Sequence, residues 1–385
     1  MKVLFLKWEN FGNHEMIKAL RDDGHEVTEL ATSQEELLSG VIMSRIEDAV
    51  RKETPDIVYS FNFFPNVAKK TADLNIDYYS WVYDNPCVQL YSHTIILPTN
   101  HIYIFDSDTY FKFSSQGIKT VHFLPMAADP ANLADHAGEI ANGGYNNDIT
   151  FVGSLYSEKH NFYDRMIGKG ISDYSSGYLR GLMESQKLLY GINLAEIMLT
   201  DTVIDDMYKA LPLEPAADSV ITKRELFAEY VVNRKITAEE RLSLLSILGK
   251  TFNNVSVYTP DRSVDIPGCK NKGTADPYKE TPGIYHSSRI NLNISLRSIV
   301  NGIPLRCFEI MGAGGFLLTS YAGDFGMYFT DGEDYVSYDS VDDLINKCRY
   351  YLDNEDERRR IAANAYEKIC AGHTYLHRVR EMLGE

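Results

Sequence analysis

The sequence predicts an α/β protein made of two parallel-sheet lobes, and three observations lead there. Short apolar strands alternate with amphipathic helices through the first 130 residues, the pattern of a parallel sheet covered on both faces. The alternation lapses in a stretch of small and polar residues and starts afresh at Ile149-Thr150-Phe151-Val152. Finally, 385 residues exceed the roughly 250 to 300 at which a single hydrophobic core stops growing.

In the first lobe, residues 1–130, Lys2-Val3-Leu4-Phe5-Leu6 reads as a buried strand. Met16, Ile17 and Leu20 then recur at helical spacing, and Gly24 supplies a left-handed stop. Ser33 with Glu36 forms a capping box ahead of Leu37, Leu38, Ile42 and Ile46. Further strands are expected at Ile57-Val58-Tyr59, Tyr78–Trp81, Ile102–Phe105 and Val121–Leu124. Loops at the carboxyl ends of such strands bind ligands, which directs attention to Asn10–His14, Asn62–Pro65, Asp84-Asn85-Pro86 and Asp106-Ser107-Asp108.

Residues 131–147, ending in Gly143-Gly144-Tyr145-Asn146-Asn147, read as a linker. The second lobe, 148–370, opens with a strand running into Gly153-Ser154, then turns helical from about 158 to 250, longer than a crossover needs. Strands resume at Val255–Tyr258, Ile290–Ile294 and Phe316–Thr319. Three helices follow, started by Ser340 with Asp343, by Asn354 with Glu357, and by Thr374; the last, within 371–385, is expected to pack back on the first lobe.

A formal charge of −16 disfavours a nucleic-acid backbone as partner, so an anionic ligand must meet local donors. Five scattered cysteines without a C-x-x-C pair suggest reduced thiols and a cytoplasmic setting rather than zinc or disulfides. No stretch approaches the ~20 apolar residues of a membrane span.

The chemistry concentrates in Asn301 to Phe316, where Pro304 suits the start of a short helix and Gly312 and Gly314 its release into a strand. An anion at that helix start would meet unpaired amides and the positive dipole end, with Arg306 adding a charge-assisted contact. Glu309, one turn on, suits the hydroxyls of a ribose, although a plain Arg306–Glu309 surface pair explains the same spacing. The glycines follow a helix and open a strand, the reverse of a dinucleotide fingerprint.

Elsewhere, Asp84 is placed to accept a proton from an acceptor, with a simple Asn-Pro turn as the other explanation of its surroundings. His93 and His14 are weaker base candidates. Asp106 and Asp108 offer a metal-type D-x-D pattern, against which a polar turn is preferred, so no metal is expected. Gly12 and Asn13 shape the first loop for a ligand, while Lys159 and Arg297 are candidate diphosphate contacts beside Arg306.

With Phe151-Val152-Gly153-Ser154, Ser288–Asn293, the Gly302 to Gly315 segment and His373-Thr374-Tyr375, the chain resembles the CgeB-like glycosyltransferase family, itself similar to glycosyltransferases of the GT-B fold with an E-x7-E motif. The resemblance implies two Rossmann-like lobes facing a central cleft and a UDP-type nucleotide sugar as donor, with no further cofactor. A protein, a glycan and a small molecule are all open as the acceptor. It further implies that the second lobe holds the donor, where the expected donor-binding residues are Gly153, Ser154, Arg297, Asn301, Arg306, Glu309, Gly312 and Gly314. Glu309 matches the second glutamate of the motif, whereas the first falls at Asn301, so the chain departs there in charge. A non-catalytic sugar-nucleotide-binding or assembly protein, or an epimerase on the same fold, stays open beside this reading.

Overall fold

A computed structural model describes residues 1–137, 145–157 and 161–384. Gly143, Gly144 and Lys159 lie outside the described residues. The chain forms two compact units, the first comprising Met1–Ala127, Pro215–Ile221 and the residues from His373 on, the second Ala128–Glu214 and Thr222–Gly372.

The first unit runs β1 (Lys2–Lys7), α1 (Asn13–Asp22), β2 (Glu26–Ala31), α2 (Gln34–Ser39), α3 (Met43–Glu53), β3 (Ile57–Phe61), α4 (Pro65–Asp73), β4 (Asp77–Val82), β5 (Asn100–Ile104), α5 (Ser107–Ser114) and β6 (Val121–Phe123). Its sheet is parallel throughout, in the order β2-β1-β3-β4-β5-β6. Every residue of β3 is buried, as is Val3 to Leu6 of β1, which explains their unbroken apolar runs. The expected capping box is present, Ser33 Oγ accepting from the Glu36 amide while Glu36 returns to the Ser33 N–H.

Pro215–Ile221 joins this unit through an N–H···O bond of 2.8 Å from Val220 to Tyr91 and a 2.6 Å bond from Ser92 Oγ to Asp218. Residues 215–221 fall within the stretch of about 158–250 expected to be mostly helical; this proline-bearing segment instead extends the first unit.

The second unit contains α6 (Pro130–Ala137), β7 (Asn147–Val152), α7 (Phe162–Lys169), α8 (Asp173–Lys187), α9 (Leu194–Met198), α10 (Asp201–Ala210), α11 (Lys223–Phe227), α12 (Arg234–Thr251), β8 (Val255–Tyr258) and β9 (Cys269–Asn271). There follow α13 (Thr281–His286), β10 (Ser288–Asn293), α14 (Leu305–Gly312), β11 (Leu317–Ser320), β12 (Val336–Tyr338), α15 (Val341–Asp353) and α16 (Glu355–Gly372). Its parallel sheet has the order β12-β11-β10-β7-β8-β9. Helix α6 occupies part of the stretch expected as linker, because Leu133 is buried within this unit. The helices from α7 to the start of α12 enclose a core of their own, including Met166, Leu179, Met207 and Phe227, distinct from the sheet core of Ile149, Phe151, Leu292 and Leu318.

The closing helix α17 (Tyr375–Leu383) belongs to the first unit. Thr374 caps it, Arg378 Nε donates to the Pro125 carbonyl at 2.9 Å, and Tyr103 Oη donates to the Met382 carbonyl at 3.0 Å.

Four thiols are shielded: burial pushes Cys87, Cys307 and Cys348 up to about 12 and Cys269 up to about 11, whereas Cys370 is exposed. A maleimide reagent at neutral pH should therefore modify Cys370 alone in the native chain, the other four reacting only after denaturation, as intact-mass spectrometry will show.

Candidate functional site

In a parallel sheet the carboxyl ends of all strands share one edge. In the second unit that edge brings together the residues after β7, β8, β10 and β11 with the start of α14, which connects β10 to β11. Pro304 caps α14 in an extended conformation, and its carbonyl accepts from the Cys307 amide at 2.9 Å. The Leu305 and Arg306 amides head the helix, as orphan donors do at any helix start.

Arg306 is the centre of this edge. Its guanidinium lies against the α-carbon of Gly153, where any Cβ would collide with it, and Gly153 has a φ of 152° that side-chain-bearing residues rarely adopt. Arg306 Nη1 donates to Asn293 Oδ1 at 3.1 Å, and the guanidinium stands 5.4 Å from the centre of the Phe151 ring. It also hydrogen-bonds Tyr285, a buried phenol whose pKa is raised by burial and by the nearby Glu309 charge, Arg306 opposing. Glu309 is half-buried on the same helix and adds to the upward shift of Cys307.

A second arginine, absent from the sequence-based site, reinforces the positive charge. Arg241 of α12 is 3% exposed and gives its hydrogens to backbone carbonyls, Nη1 to Ser154 at 2.5 Å and Nε to Ile294 at 3.1 Å. Its pKa falls to about 10, chiefly through burial and further through the charge of Arg306. Two guanidinium groups thus raise the potential at the ends of β7 and β10, a setting that favours an anion. In sequence, Glu239-Glu240-Arg241 looks like an ordinary solvated helix face, so nothing marked it out.

Ser154 takes part through its Oγ, which accepts from the Tyr156 amide at 3.0 Å, and through the carbonyl bonded to Arg241. Asn301 lies in the loop before α14, its carbonyl accepting from the Asp324 amide at 3.0 Å in the turn after β11. Three of the expected donor contacts are placed differently. Arg297 is 7% exposed and clamped: Nε and Nη2 grip Glu240 at 2.7 and 2.5 Å, and Nη1 meets the Leu189 carbonyl at 2.8 Å. Such a buried, bidentate ion pair ties the loop after β10 to the helical insertion instead of offering donors to a diphosphate. Gly312 and Gly314 sit at the far end of α14, about 12 Å from its start. There a Cβ on Gly312 would strike Ala128 at 2.9 Å, so this glycine serves helix packing, while Gly314 adopts a φ of 70° as the chain turns into β11.

In the first unit, Asp84 follows β4 and is held by Asn62, a left-handed residue with a φ of 58°. Asn62 Nδ2 donates to Asp84 Oδ2 at 2.7 Å, while its Oδ1 accepts from the Tyr83 and Asp84 amides at 3.1 and 3.2 Å. Solvent reaches Asp84, yet desolvation by surrounding protein raises its pKa, with the Asn62 bond opposing. The peptide Asn85–Pro86 is cis, and Asn85 Nδ2 donates to Asp106 at 2.9 Å. Asp106 also caps α5 by accepting from the Asp108 amide at 3.1 Å, the local-bonding geometry of a turn. His93 does not join Asp84 in this network: its ring is exposed on a short 3₁₀ turn whose backbone is pinned to Asp218 at 3.0 Å. His14 is likewise exposed on α1.

Gly12 precedes α1 with a φ of 83°, and a Cβ there would meet the Tyr375 hydroxyl at 2.8 Å and Phe61 at 3.1 Å. Asn13 is buried and donates to the Trp8 carbonyl at 2.7 Å, fixing the loop after β1. Both residues shape the strand-end loop through packing and backbone bonds.

Gly153→Ala tests the geometry around Arg306. The added methyl group must displace the guanidinium and strain the backbone by about 1–3 kcal/mol. Thermal unfolding should shift downward by several degrees, and a crystal structure of the variant should show the Arg306–Asn293 bond broken.

Residues 241–384 match the family described as glycosyl transferase-like. No curated protein matches the sequence. Among solved structures, sucrose-phosphate synthase from Thermosynechococcus elongatus aligns over 100% of this chain and 98% of its own at 8% identity and a TM-score of 0.57. HepE of Anabaena, solved with UDP-glucose, aligns over 100% and 98% at 10% identity and a TM-score of 0.53. An alpha-glucosyltransferase solved with UDP-glucose and DNA aligns over 100% and 99% at 9% identity and a TM-score of 0.54. At such identities the likeness is one of fold. The chain has the GT-B architecture of two parallel-sheet units, and its residues 241–384, from Arg241 through α14 to α17, are similar to the glycosyl transferase-like family.

Proposed function

We propose that the chain is a glycosyltransferase that moves a sugar from a UDP-type nucleotide sugar to an acceptor. The observation that carries this reading is the guanidinium of Arg306, fixed between Gly153, Asn293 and Phe151 beside Arg241, within the glycosyl transferase-like segment. The diphosphate meets Arg306 and the amides that head α14, and charge developing on the leaving group is stabilised there without a metal. Glu309 accepts from the donor ribose, and Asn301 contacts the sugar as a neutral partner. Support for a UDP donor comes from the structural relatives solved with UDP-glucose.

Asp84, oriented by Asn62, takes the proton of the acceptor hydroxyl. Within the glycosyltransferases the chain is read as CgeB-like, on the support of the motifs around Phe151–Ser154 and His373–Tyr375. Its compartment is the cytoplasm, on the support of five unpaired cysteines; no helix among the described residues is long and apolar enough to cross a membrane.

The test is incubation of the full chain with radiolabelled UDP-sugars and cell lysate, reading labelled product and released UDP. Transfer is expected to survive chelator. Binding without turnover would make the chain a sugar-nucleotide-binding module, and interconversion of donors without acceptor would make it an epimerase. Arg306→Ala should lower kcat/KM about 100-fold or more. Glu309→Ala should weaken UDP binding about 10-fold by calorimetry, as loss of a buried charged hydrogen bond does.

Asp84→Asn should cut turnover at least about 100-fold with UDP affinity retained. As a base, Asp84 works when ionised, so activity should rise with pH through its elevated pKa. Its folded-state pKa is raised, so the stability it contributes is present at acid pH and is lost as pH rises through that pKa. Asp84→Asn should accordingly melt at or above the wild-type temperature at neutral pH, the difference shrinking toward about pH 4.

A further inference from the structure

The second unit holds a cavity of about 590 Å³ at the edge of its sheet opposite Arg306. Its walls include the release of α14 at Gly312–Gly314 and the start of β10 at Ser288-Arg289, so it is separate from the strand-end site. Ala362, Ala363 and Phe316 give it a mainly apolar lining.

Three arginines converge on it. The guanidinium carbons of Arg289, Arg358 and Arg359 stand 5.7, 5.1 and 5.7 Å from the centre of the Tyr145 ring, and Arg359 hydrogen-bonds the Tyr145 hydroxyl. Arg358 is 1% exposed. Its Nη1 donates to the Tyr351 carbonyl at 2.6 Å, but its buried Nη2 makes no hydrogen bond. Glu355 stands 3.8 Å from that Nη2 and is engaged at 2.5 Å by Arg359. The buried Nε of Arg289 also lacks a hydrogen-bond partner, with Asp148 3.6 Å away. Three guanidinium groups therefore face two carboxylates, with buried N–H donors left over.

A buried guanidinium hydrogen without an acceptor is costly, and such donors in native proteins call for a partner. Phosphate suits this cluster, since its terminal oxygens accept from several guanidinium groups at once. The apolar walls and the Tyr145 ring suit a flat hydrocarbon body attached to it.

We propose that this cavity binds an organic phosphate monoester with an apolar body, the phosphate held by Arg289, Arg358 and Arg359, as a ligand additional to the nucleotide sugar. The proposal does not depend on turnover and is tested by calorimetry on the full chain with phenyl phosphate, inorganic phosphate and phenol as probes. Phenyl phosphate should bind one to one, and at least 10-fold more tightly than either inorganic phosphate or phenol.

Arg358→Ala removes a buried side chain and risks misfolding, so two milder variants carry the test. Arg289→Gln should weaken phenyl phosphate at least 10-fold, and Ala363→Trp, which fills the cavity from an exposed helix position, should abolish its binding. Arg306→Ala should leave it unchanged. No binding of phenyl phosphate at millimolar concentration, binding indifferent to Arg289→Gln and Ala363→Trp, or binding lost with Arg306→Ala would overturn the proposal. Equal affinity for inorganic phosphate would remove the apolar half of the assignment.

Discussion

The candidate donor site depends on a missing methyl group. Because Gly153 has no Cβ, the guanidinium of Arg306 can lie across the end of β7, reach Asn293 on β10 and rest on Phe151. One contact thus locks two adjacent strands and the start of α14 into a single arrangement. Asn293 is in turn fixed by Ser295 and by Thr319 on β11 at 3.1 and 2.9 Å, so the network spans three neighbouring strands. A guanidinium held from several sides loses little freedom when an anion arrives, which is the physical meaning of preorganisation.

The buried strands were readable because both of their faces are covered and their sequences are apolar without interruption. The strands that escaped notice, β2, β9 and β12, are all at sheet edges. Strand β2 has no fully buried residue, and the other two are three residues long, so neither hydrophobicity nor length sets them apart from loops. Cap residues were legible for the opposite reason: Ser33, Ser340 and Thr374 act within one turn of chain, and local chemistry is what a sequence displays directly.

The site was legible only in part. Arg306 and Gly153 are 153 residues apart yet answer to recognisable local signals, a helix start and a strand-end glycine. Arg241 and Arg297 carry no such signal, and their roles are decided by what surrounds them in three dimensions. Arg241 gives its hydrogens to the backbone carbonyls of Ser154 and Ile294 and keeps its field for the strand ends. Arg297 finds Glu240 and spends its donors on the scaffold. Gly312 and Gly314 were misplaced because proximity in sequence to Arg306 hides the length of the helix between them.

The helical insertion carries a separate apolar core, with Met166, Val203, Met207 and Phe227 fully enclosed by helices of that region. A region that buries its own hydrophobic side chains can open or close as a cooperative block while the adjoining sheet stays intact. Hydrogen exchange would then report two protection classes within one unit, and selection could reshape the inserted helices without disturbing the strand edge that Arg306 organises.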